Sequence, residues 1–87
     1  MYQIIASVTF QRQFKKIEKK FKDNILEGLN NLSEDPFTPR TGADILPIKG
    51  TKPQKHRLRV GDYRIIYCVE EDIVKIIEVF TRGREYR

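Results

Sequence analysis

The sequence has few of the residues on which common protein chemistries depend. Its 87 residues include one cysteine and one histidine. A single cysteine cannot form a disulfide within the chain, and one cysteine with one histidine cannot supply the ligands of an ordinary zinc site. The sequence also lacks a glycine-rich phosphate loop, a Ser/His/Asp set and a closely spaced carboxylate pair. We therefore expect no metal and no cofactor, and any catalysis must use arginine, lysine and tyrosine.

Long hydrophobic segments are missing as well. The longest apolar run is Ile65–Val69, whereas a membrane-spanning helix needs roughly 20 residues. The first residues, Met1–Ile5, lack the basic start and the small-residue cleavage site of a secretory signal. We therefore expect a cytoplasmic protein without a membrane partner. The length allows one small core, so residues 1–87 are predicted to form a single domain.

Positive charge is abundant and unevenly distributed. The chain has 17 Lys and Arg against 12 Asp and Glu, a net charge of +5. Between positions 49 and 64 only Asp62 opposes a group of six cations. These six cations are Lys49, Lys52, Lys55, Arg57, Arg59 and Arg64. Such a patch favours a polyanionic partner, with nucleic acid as the first candidate, although a merely solvated charged surface gives the same pattern.

The first half of the chain predicts a strand followed by two helices. Residues 2–6 are rich in β-formers, and Ser7 or Thr9 can cap the helix that follows. Apolar residues then recur at alternating spacings of four and three from Phe10 to Leu32, which gives one helical face. One helix of that length would exceed a small domain. We therefore expect a break near Lys22–Asp23, with Asp23 as a second cap and a hairpin of two helices.

The second half predicts strands. Ser33–Pro36 ends the helix, and residues 45–48 form a short strand that belongs at a sheet edge because of its proline. Residues 55–60 and 63–69 alternate around a two-residue turn, Gly61–Asp62. A last strand covers residues 73–80, with its register to the preceding strand left open. The predicted class is α+β: an N-terminal strand and a two-helix hairpin packed on a small, largely antiparallel twisted sheet.

The two-residue turn fixes which side chains share a face. It pairs Arg59 with Arg64 and places Lys55, Arg57, Arg59 and Arg64 on one face of the sheet. Like charges directly opposite each other repel, so the pair suggests an anion that bridges them. His56 lies on the opposite, apolar face beside Tyr67, and we interpret it as structural.

The C-terminal segment adds further cations and one aromatic residue. Arg84 can contact phosphate, and Tyr86 can stack on a base or donate a proton. A frayed basic terminus remains the alternative interpretation.

The sequence resembles the RelE/ParE superfamily of toxins over almost its whole length. The motifs that carry the resemblance are Ile48-Lys49-Gly50, then the stretch from Lys55 to Tyr67 with Arg-Val-Gly-Asp-Tyr-Arg-Ile-Ile-Tyr, and then Arg82-Gly83-Arg84-Glu85-Tyr86-Arg87. It is most similar to the RelE branch, in particular to archaeal members. The resemblance implies a ribosome-dependent mRNA endonuclease that cuts the codon in the decoding site without metal. In that reaction the ribose 2′-hydroxyl attacks the adjacent phosphate, which leaves a cyclic phosphate and a 5′-hydroxyl.

The resemblance also implies site residues. The catalytic candidates are Lys55, Arg57, Arg64, Arg84 and Tyr86, and the candidates for RNA phosphate binding are Lys49, Lys52, Arg59 and Arg82. The implied partners are the ribosome and mRNA and an acidic, RelB-type antitoxin, through which the complex would contact operator DNA. Two alternatives stay open: a ParE-like poison of DNA gyrase, which has the same fold, and a basic module that binds RNA or ribosomes without catalysis.

Overall fold

A computed structural model describes residues 1–81 of the chain. The described part contains five strands and two helices. In chain order they are β1 (Gln3–Ala6), α1 (Val8–Lys15), α2 (Lys19–Glu34), β2 (Asp44–Ile48), β3 (Lys55–Val60), β4 (Tyr63–Glu70) and β5 (Ile73–Thr81). No helix among residues 1–81 has the length and apolar character needed to cross a membrane.

The five strands form one sheet in the order β1-β5-β4-β3-β2. β1 runs parallel to β5, and the other three pairings are antiparallel. Both helices cover one face of this sheet. Alternate residues of β3, β4 and β5 point toward the helices and form the core with them. The predicted α+β architecture is therefore confirmed, including the position of β2 at an edge.

The break between the helices lies earlier than the sequence predicts. α1 ends at Lys15 and α2 begins at Lys19 after Glu18, so the expected break at Lys22–Asp23 is wrong. Asp23 is inside α2, where it pairs with Lys19 at 3.5 Å. The apolar spacing hides the break because Ile17, in the linker, packs on the same core as the helices around it.

The start of α1 is tied to the sheet by Ser7, one of the two predicted caps. Its hydroxyl accepts from the amide of Phe10 at 3.0 Å and donates to the carbonyl of Ile77 at 2.6 Å. Ile77 is the extra residue of a bulge in β5, because Ile66 pairs with Glu78 and the next residue of β4 pairs with Ile76. The bulge thus leaves a carbonyl that the helix cap uses.

The β3–β4 hairpin has the predicted turn and register. Gly61 has φ +58°, a backbone conformation that residues with a side chain rarely adopt. Val60 and Tyr63, on either side of the turn, form the first pair of the hairpin. Arg59 lies opposite Arg64 as expected. The register that the sequence left open is set by a second two-residue turn, with Glu70 paired to Ile73.

The core lies between the helices and the sheet. Leu58, Ile65 and Tyr67 are fully buried there with Ile25 and Leu32 of α2. The Tyr67 hydroxyl keeps a partner by donating to the carbonyl of Pro36 at 2.7 Å. Gly28 lets α2 approach β3, since a Cβ at that position would lie 3.1 Å from side-chain atoms of Leu58 and Val60. The helices therefore pack closely against one face of the sheet, and the cations of β3 and β4 lie on the other face.

Candidate functional site

The sheet face opposite the helices carries a group of basic side chains, which we call the basic face. It consists of Lys55, Arg57 and Arg59 from β3 and Arg64 from β4. The three β3 residues alternate with core residues, so the strand itself aims them away from the helices. Register places buried Ile66 beside Arg57 and buried Phe80 beside Arg64, which gives this face an apolar floor.

Asp44, the first residue of β2, joins two of the arginines. Its Oδ1 lies 3.0 Å from Nη2 of Arg57, and its Oδ2 lies 2.9 Å from Nε of Arg59. The position follows from the β2–β3 register, in which Asp44 pairs with Arg59. The Arg59–Arg64 repulsion is therefore offset from within the chain, and Arg59 already has a carboxylate partner without an external anion.

Two buried guanidinium nitrogens on the basic face lack an acceptor among the described residues. They are Nε of Arg57 and Nη1 of Arg64. Burial lowers the pKa of Arg57, and the charges of Arg64 and Arg59 act in the same direction, whereas Asp44 raises it. Arginine nevertheless remains charged at neutral pH. An unpaired buried donor on a charged group is costly, so these nitrogens mark a place where an anion would be stabilised.

The loop between β2 and β3 presents two more predicted phosphate contacts. Lys49 and Lys52 are exposed in this loop. The Thr51 hydroxyl accepts from the amide of Lys55 at 2.8 Å and donates to the carbonyl of Ile48 at 2.9 Å. These bonds fix the start of β3, and with it Lys55, which is half-buried.

His56 occupies the opposite face, as predicted. It stacks on Tyr67 with ring centroids 5.2 Å apart and meets the edge of Phe37 at 5.8 Å. Burial lowers the pKa of His56 below its ordinary value. The geometry assigns it to packing and separates it from the arginines by the thickness of the sheet.

The remaining predicted site residues, Arg82, Arg84 and Tyr86, lie outside the described residues. Within residues 1–81, no group of three or more His, Cys, Asp or Glu side chains is arranged to hold a metal ion. The structure thus brings four predicted residues together on one face: Lys55, Arg57, Arg59 and Arg64.

Asp44 is the residue that sequence reasoning missed. It lies outside the 49–64 window in which charges were compared, and it meets the arginines only because β2 returns alongside β3. The available signal was the edge strand itself: Asp44 immediately precedes the predicted strand 45–48. Pairing that strand with β3 would have brought an acid beside the basic residues.

The arrangement suits stabilisation of negative charge on phosphate. Arg64 and Arg57 offer planar N–H donors above an apolar floor, and Lys55 adds an amine on the same face. Fixed donors aimed at developing charge are the main contribution that a protein can make when the nucleophile belongs to the substrate. The face can therefore hold an anionic phosphoryl group.

Comparison with known proteins gives the class of protein to which this fold and face belong. The structure resembles the archaeal RelE–RelB complex from Pyrococcus horikoshii OT3, at 29% identity over 97% of this chain and 98% of that chain, with a TM-score of 0.81. The isolated Escherichia coli RelE toxin has the same fold, at 17% identity over 98% of this chain and 88% of that one, with a TM-score of 0.79. The RelB–RelE complex from Methanococcus jannaschii matches at 23% identity over 88% of each chain, with a TM-score of 0.74. The class is the RelE/ParE superfamily, and the fold is RelE-like.

The sequence comparison gives the family. Residues 4–86 match the family described as the ParE toxin of type II toxin–antitoxin systems, parDE, and the chain belongs to it. It is therefore a toxin of a type II toxin–antitoxin system. A search among curated protein sequences finds no match.

Proposed function

We propose that this toxin, as a single domain spanning residues 1–87, is a metal-independent endoribonuclease that cuts mRNA in the decoding site of the ribosome. The observation that carries the proposal is a pair of buried guanidinium nitrogens, Arg57 Nε and Arg64 Nη1, that have no acceptor among residues 1–81. A scissile phosphate supplies the acceptor that these donors lack.

In the proposed reaction, the 2′-oxygen of the ribose forms a bond to the adjacent phosphorus and the bond to the 5′-oxygen breaks. The leaving 5′-oxygen takes up a proton from Tyr86 or from solvent water, so the products are a cyclic phosphate and a 5′-hydroxyl. Lys55 takes the proton from the 2′-hydroxyl, because a lysine amine can act as a proton acceptor whereas arginine stays charged. Arg64 stabilises the pentavalent phosphate, with Arg57 beside it.

The residues outside the described part complete the proposal. Arg84 holds the scissile phosphate or the leaving oxygen, and Tyr86 stacks on a base or transfers a proton. Lys49, Lys52, Arg59 and Arg82 bind RNA phosphates along the path to the site. This set needs no cofactor, because orientation and charge stabilisation are sufficient when the substrate carries its own nucleophile.

The proposed partners follow from the toxins that this chain resembles. The archaeal proteins were solved as RelE–RelB complexes, and we propose that an acidic RelB-type antitoxin neutralises the net charge of +5 and covers the basic face. Operator DNA would be contacted only through that complex. Ribosomes and mRNA as substrates imply action in the cytoplasm.

One observation favours a second function. The family that matches this chain is named after the ParE toxin, and ParE-type toxins poison DNA gyrase. The basic face argues for RNA cleavage, because poisoning gyrase does not require a phosphate site whose arginine donors lack acceptors among residues 1–81. A third alternative, a module that binds ribosomes without cutting, shares the face and differs only in catalysis.

The test is primer extension on mRNA programmed into 70S ribosomes with an empty decoding site. We expect cuts inside the decoding-site codon with the wild type, none on free mRNA, and a loss of about 10²–10³ in rate for Arg64→Ala. Lys20→Ala, on the other side of the molecule, is the control and should cut at the wild-type rate. Folded wild-type protein that binds ribosomes without cutting would favour the binding module, and inhibition of supercoiling instead would favour gyrase.

A further inference from the structure

The carboxylate of Asp44 occupies the basic face in the same way as a bound phosphate would. Its two oxygens take one donor from each of two arginines, at 3.0 Å from Arg57 Nη2 and 2.9 Å from Arg59 Nε. A phosphate monoanion bridging two guanidinium groups makes the same pair of charge-assisted contacts. The chain thus carries its own anion at the site proposed for RNA.

Asp44 separates the arginines into two groups. Arg57, with 20% of its side chain exposed, and Arg59, with 53% exposed, are held toward the β2 edge by the carboxylate. Arg64 lies opposite Arg59 but has no ion pair among the described residues, and its Nη1 is buried without an acceptor. RNA that uses all three arginines must therefore displace Asp44 or bind beside its negative charge.

Each of these two routes weakens binding of RNA. Displacement breaks two ion pairs, and binding without displacement places a phosphate next to a carboxylate of the same sign. Asp44 is 44% exposed, so water can solvate it after it leaves the arginines. The exchange is consequently possible at a modest cost, which suits a reversible competitor.

We propose that Asp44 is an internal competitor for RNA phosphate that lowers the affinity of the basic face for RNA outside the ribosome. The inference rests on the proposed function, since it takes RNA as the ligand of this face. It adds a regulatory element to that site. Binding of mRNA already held by the ribosome is opposed only by the displacement of Asp44, whereas binding of a free strand is also opposed by the loss of the strand's own conformational freedom.

The test is RNA binding without ribosomes. The probe is a fluorescein-labelled RNA of ten nucleotides with 2′-O-methyl groups, which cannot undergo 2′-hydroxyl attack, and the measurement is fluorescence anisotropy at several salt concentrations. Asp44→Asn should bind about three to ten times more tightly than the wild type at low salt. The slope of log affinity against log salt should steepen by about 0.7, the value for one additional contact with single-stranded RNA.

The matched control is Glu34→Gln, which removes one negative charge at the exposed end of α2, on the helix side of the sheet. It should change RNA affinity by less than twofold. A double-mutant cycle adds a second control: the effect of Asp44→Asn should shrink when Arg59 is already glutamine, because one of the two arginines that it releases is then absent. An equal gain for Glu34→Gln would overturn the inference by attributing the effect to net charge.

Equal or weaker RNA binding by Asp44→Asn would also overturn it, and would make Asp44 a residue that positions Arg57. Asp44→Ser, measured in the same way, keeps the test decisive if the asparagine variant does not fold. Cleavage on programmed ribosomes is measured on the same preparations. Tighter binding by the variant without cleavage by the wild type would refute the endonuclease and support the competitor, whereas cleavage with unchanged binding would refute the competitor alone.

Discussion

Two cationic regions of this toxin differ in how their positive charges are held. The basic face uses three arginines and a lysine on rigid strands, with a carboxylate between two of the arginines. The second region, which we call the helix corner, surrounds the α1–α2 linker. It consists of Arg12, Lys15, Lys16, Lys19, Lys20 and Lys22. Its only ion pair among the described residues joins Lys19 and Asp23, whose side chains are 87% and 66% exposed.

The two regions also differ in the type of side chain that carries their charge. Lysines of the helix corner have flexible stems and rest partly on aromatic rings: Lys20 lies 5.0 Å from the ring centre of Phe21, and Lys22 lies 5.5 Å from that of Phe14. Arginines of the basic face have planar guanidinium groups, and the Asp44 carboxylate holds those of Arg57 and Arg59. Guanidinium groups held in one geometry can recognise a phosphate bidentately, whereas mobile ammonium groups attract any polyanion. The comparison teaches that geometry, more than net charge, distinguishes a candidate site from a solvated surface.

The largest expected effect tests geometry at constant charge. Arg64→Lys keeps the positive charge but removes the planar fork, so we expect mRNA cleavage on programmed ribosomes to fall by about 10²-fold. Lys20→Arg at the helix corner is the matched exchange and should change the rate by less than twofold. Full activity of Arg64→Lys would show that charge alone is sufficient and would remove the distinction between the two regions.

A smaller effect is expected from reducing charge at the helix corner. The double variant Lys15→Gln and Lys16→Gln should weaken binding of free RNA by about two- to threefold, because it removes long-range attraction without removing a fixed contact. The cleavage rate at saturating protein should remain that of the wild type. A tenfold fall in that saturated rate would mean that the helix corner takes part in the catalytic complex.

The cations of the helix corner should also lower the free energy of unfolding, because some of them lie at the N-terminus of α2. α2 begins with Lys19 and Lys20 and has no acid in its first turn, and its N-cap, Glu18, makes no side-chain capping bond. Because the N-terminus of a helix disfavours cations, Lys20→Glu should raise the free energy of unfolding by about 0.5 kcal/mol at low salt. Urea denaturation measures this change, with Lys20→Gln as an intermediate. Destabilisation by both variants would show that the contact of Lys20 with Phe21 outweighs the helix dipole.

The smallest effect uses pH and tests a group on the helix side of the sheet. The pKa of His56 lies below its ordinary value of 6.5 because the side chain is partly buried. The unfolded chain then binds more protons than the native protein as the pH falls below that value. Stability should therefore be fully present above pH 6.5 and decrease toward pH 5.5. His56→Phe should flatten this dependence of the urea midpoint, and an unchanged dependence would point to another group.

Local signals in the sequence predicted the parts of the fold that local interactions specify. The β3–β4 register follows from a two-residue turn with Gly61, so Arg59 had to lie opposite Arg64 whatever the remainder of the chain did. Ser7 was among the predicted caps because its side-chain oxygen can accept from a free backbone N–H in the first turn of the helix that follows. The end of α2 before Pro36 follows from the steric conflict between proline and a continuing helix turn.

Features that depend on distant segments were not predictable in this way. The break at residues 16–18 leaves the apolar spacing intact, since Ile17 still packs on the core. Periodicity therefore gave no position for the break, and the choice of Asp23 as a second cap placed it several residues too late. The β4–β5 register depends on a bulge at Ile77 whose carbonyl accepts from Ser7, 70 positions earlier in the chain. The hydrogen bond from Ser7 to the carbonyl of Ile77 forms only after α1 has packed on the sheet.

The sequence by itself determined that this is a small basic protein with a strand hairpin whose cations share one face, because alternation and a tight turn act over neighbouring residues. Only the tertiary structure decided how those cations are balanced. Asp44 reaches Arg57 and Arg59 because β2 pairs with β3 across a loop, and the helices exclude water from the opposite side of the same strands. Pairing between distant segments has no local signature, since its free energy comes from hydrogen bonds and burial that form only when the whole sheet assembles.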